Sequence, residues 1–315
     1  MSEMIIPQEK KLERYLSLDV LRGLTIALMV VVNTPGSWDA IYAPFRHAAW
    51  DGFTPTDWVF PSFLFVVGNA MSFSLRKKGG VNDNTFLRKA MKRSLIIFLI
   101  GLLLNAYPFV RLNEAGDLLL KDFTAIRIFG VLQRIALCYC IASLVLHYLR
   151  ASGAVVFSAL VLFGYWAVMY IFGEGPDRYS LEGNAALKLD LWLINPNNLY
   201  KGEGIPFDPE GILSTFPAAV NVLGGDFAGQ FIQKGGNTKA TVLKLMVVGS
   251  VLVASGLLWD IAFPINKKIW TSSFVLLTVG VNLLVIGLLI YIVEIMNLKR
   301  WTYFFEVFGK NPLVL

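Results

Sequence analysis

His47 is one of two histidines in the chain and stands among Phe45, Arg46, Trp50 and Asp51, ten residues ahead of Asp57. Near neutral pH an imidazole takes up and releases a proton, and a nearby carboxylate fixes its tautomer and favours its charged form. The segment FRHAAWDGFTPTDW therefore has the makings of a general base. A structural histidine is the alternative, and Asp57 equally suits a helix N-terminus, where an acid meets the helix dipole. Asp19 and Arg22 lie at i, i+3 in an apolar run, one helical turn apart, and either neutralise each other at the membrane interface or leave Arg22 to meet a phosphate. Asn33, at the opposite end of that run, either orients a ligand or caps the helix.

Gln133 and Arg134 sit inside IFGVLQRIALCYC, expected about two turns below the outer end of a span. A fixed charge at that depth must pair, line a wet cavity or bind an anion. In FDPEGILSTFP, Pro209 suits a helix start with Glu210 and Gly211 in its first turn, which makes Asp208 a cap candidate. Lys267 and Lys268, in PINKKIWTSSF, fall on the side poor in basic residues, where they neutralise acids or contact a substrate. His147 reads as interfacial.

These groups need elements that hold them in a bilayer. The 315 residues are 56% hydrophobic and 16% charged, with a mean hydropathy of +0.60, which implies an all-α, polytopic membrane bundle. Windows of about twenty apolar residues give eight candidate spans near 16–35, 55–75, 92–108, 126–148, 152–172, 211–232, 242–260 and 271–296. A ninth run opens after Lys299-Arg300 and stops at Leu315, too short to span, so the chain is expected to be incomplete at its C-terminus. Residues 1–15 form a polar tail without a signal-peptide pattern, and 16–315 form the membrane domain. Lys and Arg gather at one set of ends, notably Lys10, Lys11, Arg14, Arg76 to Lys78 and Arg88 to Arg93, which places the N-terminus in the cytoplasm and His47 outside. The segment 173–210, with its acids and its Gly, Pro and Asn, reads as an ordered binding loop or lid.

The formal net charge of +6 is explained by these flanking residues, not by a nucleic-acid partner. Cys138 and Cys140, two apart in an apolar run, argue against a disulfide or a metal site. There is no P-loop, GxSxG, HExxH or GxGxxG with its supporting context, so phosphoryl transfer, serine hydrolysis, zinc proteolysis and dinucleotide chemistry have no motif behind them.

Six blocks in order, SLDVLRGLTIALMVVVN, RHAAWDGFTPTDWVFPSFLFVVG, GVLQRIALCY, FDPEGILSTFP, PINKKIWTSSFVL and FGKNP, resemble those of the heparan-alpha-glucosaminide N-acetyltransferase family and its shorter bacterial relatives. The resemblance runs from about Leu16 to the last residue and implies a transmembrane enzyme. Such an enzyme takes acetyl from cytoplasmic acetyl-CoA and transfers it to the amine of a glucosamine-type sugar on the far side. By it, His47 corresponds to the active-site histidine and Asn33 to the asparagine at the outer end of the first helix.

The expected assignment is then His47, Asn33 and Asp57 in catalysis, and Arg22, Arg134, Gln133 and Asp19 toward the donor. Asp51, Trp50, Asp208, Glu210 and Lys268 are expected toward the acceptor. The donor acetyl-CoA is a co-substrate and no metal is expected. The partners are the amino sugar and the lipid bilayer of a bacterial cytoplasmic membrane, with a homodimer left open. The rival readings are an O-acyltransferase of an exported polysaccharide and a transporter of an amino-sugar or anionic solute, with Arg22 and Arg134 as counter-ions.

Overall fold

The computed structural model describes residues 15–37, 40–74, 83–112 and 117–310. The N-terminal tail, the basic triplet Arg76-Lys77-Lys78 and the Asn-Pro of FGKNP lie outside the described residues. Ten helices are described: α1 (Leu16–Asn33), α2 (Val59–Ser74), α3 (Asp83–Ala106), α4 (Val131–Tyr148), α5 (Arg150–Phe172), α6 (Ala185–Leu193), α7 (Ile212–Gly235), α8 (Lys239–Asp260), α9 (Ser272–Leu289) and α10 (Thr302–Lys310). A π-helical stretch, Ile290–Ile295, extends α9.

Each of the eight expected segments is a helix. Among the described residues, five stretches are long and apolar enough to cross a membrane: α1, α4, α5, α8 and Ser272–Ile295. The other three are shorter or more polar. The described part of α2 has 16 residues, α3 opens on a charged stretch containing Arg88, Lys89, Lys92 and Arg93, and α7 carries Asn221, Asp226, Gln230 and Gln233.

Those polar groups put α7 in the middle of the bundle, against α2, α4, α5, α6 and α9. A polar side chain facing lipid has no hydrogen-bonding partner, whereas one facing other helices finds one. Asn221 Nδ2 donates to Thr278 Oγ1 at 2.9 Å, its Oδ1 accepts from Trp270 Nε1 at 3.1 Å, and Gln233 Nε2 donates to Ser72 Oγ at 2.8 Å. Small residues let α2 and α7 touch backbone to backbone. A Cβ on Gly68 would lie 1.8 Å from the Val222 carbonyl oxygen, and one on Gly225 would lie 1.9 Å from that of Phe65.

One expected boundary needs correction, and two further features complete the fold. The helical fold carries one short antiparallel hairpin after α3, of β1 (Val110–Leu112) and β2 (Leu118–Leu120), with Val110 opposite Leu120. The fourth span begins at Val131, not near 126, because residues 126–130 are extended and Asn105 Nδ2 donates to the carbonyls of Arg127 (2.9 Å) and Phe129 (3.1 Å). Arg134 therefore stands in the first turn of α4 instead of two turns down. The described part of the run after Lys299-Arg300 is a nine-residue helix, α10, which lies against α1.

The loops after α1, α3, α5 and α8 share one end of the bundle. Residues 46–58 meet 260–271 there, and residues 173–211, which contain α6, fold over the same end. The expected ordered loop is ordered. Asn184 caps α6 by accepting from Leu187 N, and Tyr165, Met169, Phe207, Phe263 and Ile269 form a second small core beneath it.

Candidate active site

The site starts from a four-residue signal, Thr54-Pro55-Thr56-Asp57. Thr54 precedes a 3-10 turn, Pro55 fixes its first dihedral, and Asp57 stands where a capping acid reaches back. Asp57 Oδ2 accepts from Thr54 N (3.1 Å), Thr54 Oγ1 (2.9 Å) and Ala48 N (3.1 Å). This leaves Oδ1 for His47, whose Nδ1 lies 2.7 Å away. Asp57 is 1% exposed while His47 is 44% exposed, so a buried carboxylate holds a ring open to the outside. Burial alone would raise this carboxyl. The His47 hydrogen bond, the Lys267 charge and the Ala48 N–H outweigh it and hold Asp57 at about 2. Asp57 thus caps the turn with one oxygen and contacts the imidazole with the other.

Lys267 closes the group. Its Nζ stands 3.0 Å from His47 Nδ1, 3.5 Å from Nε2 and 3.6 Å from Asp57 Oδ1. Burial of the ammonium lowers it below the usual lysine range, against the opposing charges of Asp57 and Glu210. The loop that presents it is tied down at several points. Gly52 N donates to the Ile265 carbonyl at 2.8 Å, Asn266 Nδ2 to Asp51 Oδ1 at 3.1 Å, and Asn266 N to Thr271 Oγ1 at 3.0 Å. Trp270 holds a left-handed backbone conformation at φ 51°. Its ring is fixed by Phe60, Phe274 and the bond to Asn221, which compensates a backbone strain of order 1–3 kcal/mol.

Around this centre, Lys268 Nζ donates to Glu203 Oε2 at 2.5 Å and to the Ala49 carbonyl at 2.9 Å, and lies 5.7 Å from the Trp50 ring centre. Trp50 Nε1 donates to the Tyr179 carbonyl at 3.0 Å and its ring packs on Phe207. Next to Phe207, Arg127 makes a two-pronged contact with Asp208 (2.9 and 2.6 Å) and reaches Glu210 at 2.5 Å, with its guanidinium over the Tyr200 ring. Burial disfavours the Arg127 charge, yet the two carboxylates more than offset it and raise the group above the ordinary arginine range. Asp208 is not the cap expected of it. The N-cap of α7 is Gly211, and Asp208 Oδ1 instead accepts from Glu210 N.

Behind the patch, Arg134 is fully buried, with Nη2 donating to the Gly211 carbonyl (3.3 Å) and to Ser214 Oγ, and its guanidinium 4.9 Å from the Trp270 ring centre. Its Nε and Nη1 have no partner, nor does Nε2 of the neighbouring Gln133. Asp190, on α6, accepts from Ile212 N through Oδ1 while Oδ2 is unpartnered, and burial pushes its carboxyl up to about 7. Gly211 is required there, because a Cβ would lie 1.9 Å from Asp190 Oδ2.

The structure brings His47, Asp57, Asp51, Trp50 and Lys268 into one patch, with Asp208 and Glu210 at its border. It does not join the rest to them. Asn33 ends α1 exposed and donates to the Met29 carbonyl at 2.9 Å. Asp19 and Arg22 pair at 3.5 Å at the other end of α1, where Arg22 Nη1 also donates to the Gly309 carbonyl at 3.4 Å. Sequence reasoning missed Lys267 as a partner of His47, along with Arg127, Glu203, Asn266 and Asp190. Arg127 carried a usable signal, since an arginine at 127 is reason to start the fourth span after it.

The profile of the family described as heparan-alpha-glucosaminide N-acetyltransferase, catalytic, matches residues 14–258. The chain is 26% identical over 310 residues to the mouse (Mus musculus) protein named heparan-alpha-glucosaminide N-acetyltransferase, covering 82% of this chain and 46% of that one. It is also 26% identical over 318 residues to the human (Homo sapiens) protein of the same name, covering 83% and 46%. The chain thus spans about half the length of these curated relatives.

Proposed function

The chain belongs to the heparan-alpha-glucosaminide N-acetyltransferase catalytic family, and from that premise we propose that it moves acetyl from cytoplasmic acetyl-CoA to the amine of a glucosamine-type sugar across a bacterial cytoplasmic membrane. All eight long helices cross the bilayer in this reading, with the N-terminus inside and the His47 end outside. The observation that carries it is the 2.7 Å contact between His47 Nδ1 and the buried Asp57 carboxylate. A ring that gives its Nδ1 hydrogen to Asp57 presents Nε2 as a base.

Nε2 accepts the proton of the attacking amine as the new C–N bond forms at the thioester carbon, the C–S bond breaks and the CoA thiolate departs to be protonated. If the ring itself first takes the acetyl group, the same Nε2 forms the bond, and Asp57 holds the other nitrogen in both cases. Asn33 donates to the thioester oxygen as charge develops there. Arg22, beside Asp19, meets the nucleotide phosphates at the inner end. Gln133 and Arg134, with unengaged donors near the outer end, receive the pantetheine end. Asp51, Trp50, Lys268 and the Asp208–Glu210 pair border the acceptor.

Proteoliposomes loaded with labelled acetyl-CoA and given glucosamine only outside test this directly. Labelled N-acetylglucosamine in the external medium is expected. Transfer only to hydroxyl-bearing acceptors points to the O-acyltransferase, and uptake of the sugar with the thioester intact points to a transporter.

A further inference from the structure

Lys267 was singled out in the sequence for falling on the side poor in basic residues, and the transfer mechanism above gives it no task. In the structure two groups converge on one oxygen. Asp57 Oδ1 faces His47 Nδ1 at 2.7 Å and Lys267 Nζ at 3.6 Å, while Nζ is 3.0 Å from Nδ1. A ring nitrogen either donates or accepts, so Nδ1 cannot serve both neighbours at once. With its hydrogen directed to Asp57, the ring has the ammonium close against its edge. A second proton on the ring would then set two cations about 3 Å apart, with the Asp57 carboxylate already shared between them.

The other charges nearby do not relieve this. Lys268 is held by Glu203, Asp51 is engaged by Asn266, and Glu210 is clamped by Arg127 while acting on Lys267 at longer range. Nor is Lys267 a wandering surface lysine: its carbonyl accepts from Trp270 N at 3.2 Å, and its side chain is 22% exposed.

We propose that Lys267 is the positioning residue that fixes the protonation state of His47, supplying the cation that balances Asp57 so that the ring stays neutral with Nδ1–H on Asp57 and Nε2 open. This rests on the reading of His47 as the acting base and extends it. Lys267 acts through His47 and contacts neither donor nor acceptor in this role.

The two histidines of the chain make the test direct. The full-length protein in nanodiscs, labelled with 15N-histidine and carrying His147→Gln to silence the other ring, is titrated by NMR. In Lys267→Met the midpoint of the His47 ring is expected to rise by about one pH unit, the lower end of what a like charge within ~4–6 Å produces, because the site is partly exposed. Lys267→Arg is expected to restore the original midpoint, and Lys267→Gln serves as the charge-removing variant should the methionine protein not fold. An unchanged midpoint in a folded Lys267→Met or Lys267→Gln protein overturns the proposal. The readout needs no turnover. A shifted midpoint in a protein that transfers no acetyl group therefore upholds the role of Lys267 while removing the enzyme reading.

Discussion

Asp57→Asn separates the two tasks of that carboxylate. Oδ2 accepts three hydrogen bonds, from Thr54 N, Thr54 Oγ1 and Ala48 N, whereas Oδ1 faces His47 and Lys267. An asparagine places its one oxygen where the three donors are, because its NH2 there would set donor against donor. The NH2 then points at His47 Nδ1, which must accept, and the ring hydrogen moves to Nε2. The turn survives and the base is lost. One charge-assisted hydrogen bond disappears from a site 1% exposed, which costs about 1–3 kcal/mol of stability. A misplaced general base costs about 10²–10⁴-fold in rate, equivalent to about 3–5.5 kcal/mol of barrier. The assay is acetyl transfer to glucosamine from acetyl-CoA by purified protein, with the thermal midpoint measured in parallel. An Asp57→Asn protein that works within about threefold of wild type, while His47→Ala is inactive, refutes the assignment of ring orientation to Asp57.

Asp190 has its folded carboxyl raised to about 7 by burial. Its stabilising contribution is therefore complete below the unfolded value near 3.8 and is lost as pH rises through about 7. Asp190→Asn is expected to remove that loss, raising the thermal midpoint at pH 8 and leaving it unchanged near pH 4, as differential scanning fluorimetry reads. Arg127→Met leaves the Asp208 and Glu210 carboxylates without their shared cation. About 3 kcal/mol of local stability should be lost, seen as faster hydrogen exchange over residues 199–211. Gly225→Ala pushes a Cβ into the Phe65 carbonyl across the α2–α7 contact. It should cost about 1–3 kcal/mol in resistance to thermal unfolding, with activity at low temperature falling less than stability.

Helix positions were legible because apolar length is a strong signal in a bilayer. The ends were less so. Val131 starts α4 five residues late because Asn105 captures the Arg127 and Phe129 carbonyls, a long-range event that no window along the chain registers. At the site, the ten-residue spacing from His47 to Asp57 and the Thr54–Asp57 capping pattern are local, and they could be read. The partnership with Lys267 spans 220 positions, and that of Arg127 with Asp208 spans 81. Such pairs are made by loops meeting at one end of a bundle, and sequence supplies only the observation that Lys267 lies on an unexpected side. Asp208 shows the opposite failure. Its local pattern favoured a cap, and a guanidinium from another loop outcompeted the helix terminus for its oxygens.

The most direct measurement is mass-spectrometric detection of N-acetylglucosamine formed from acetyl-CoA and glucosamine by the purified protein, for wild type and for His47→Ala at equal thermal stability. Product from the wild type and none above background from the variant is the expected result. Equal product from both would mean that the imidazole held by Asp57 takes no part in acetyl transfer.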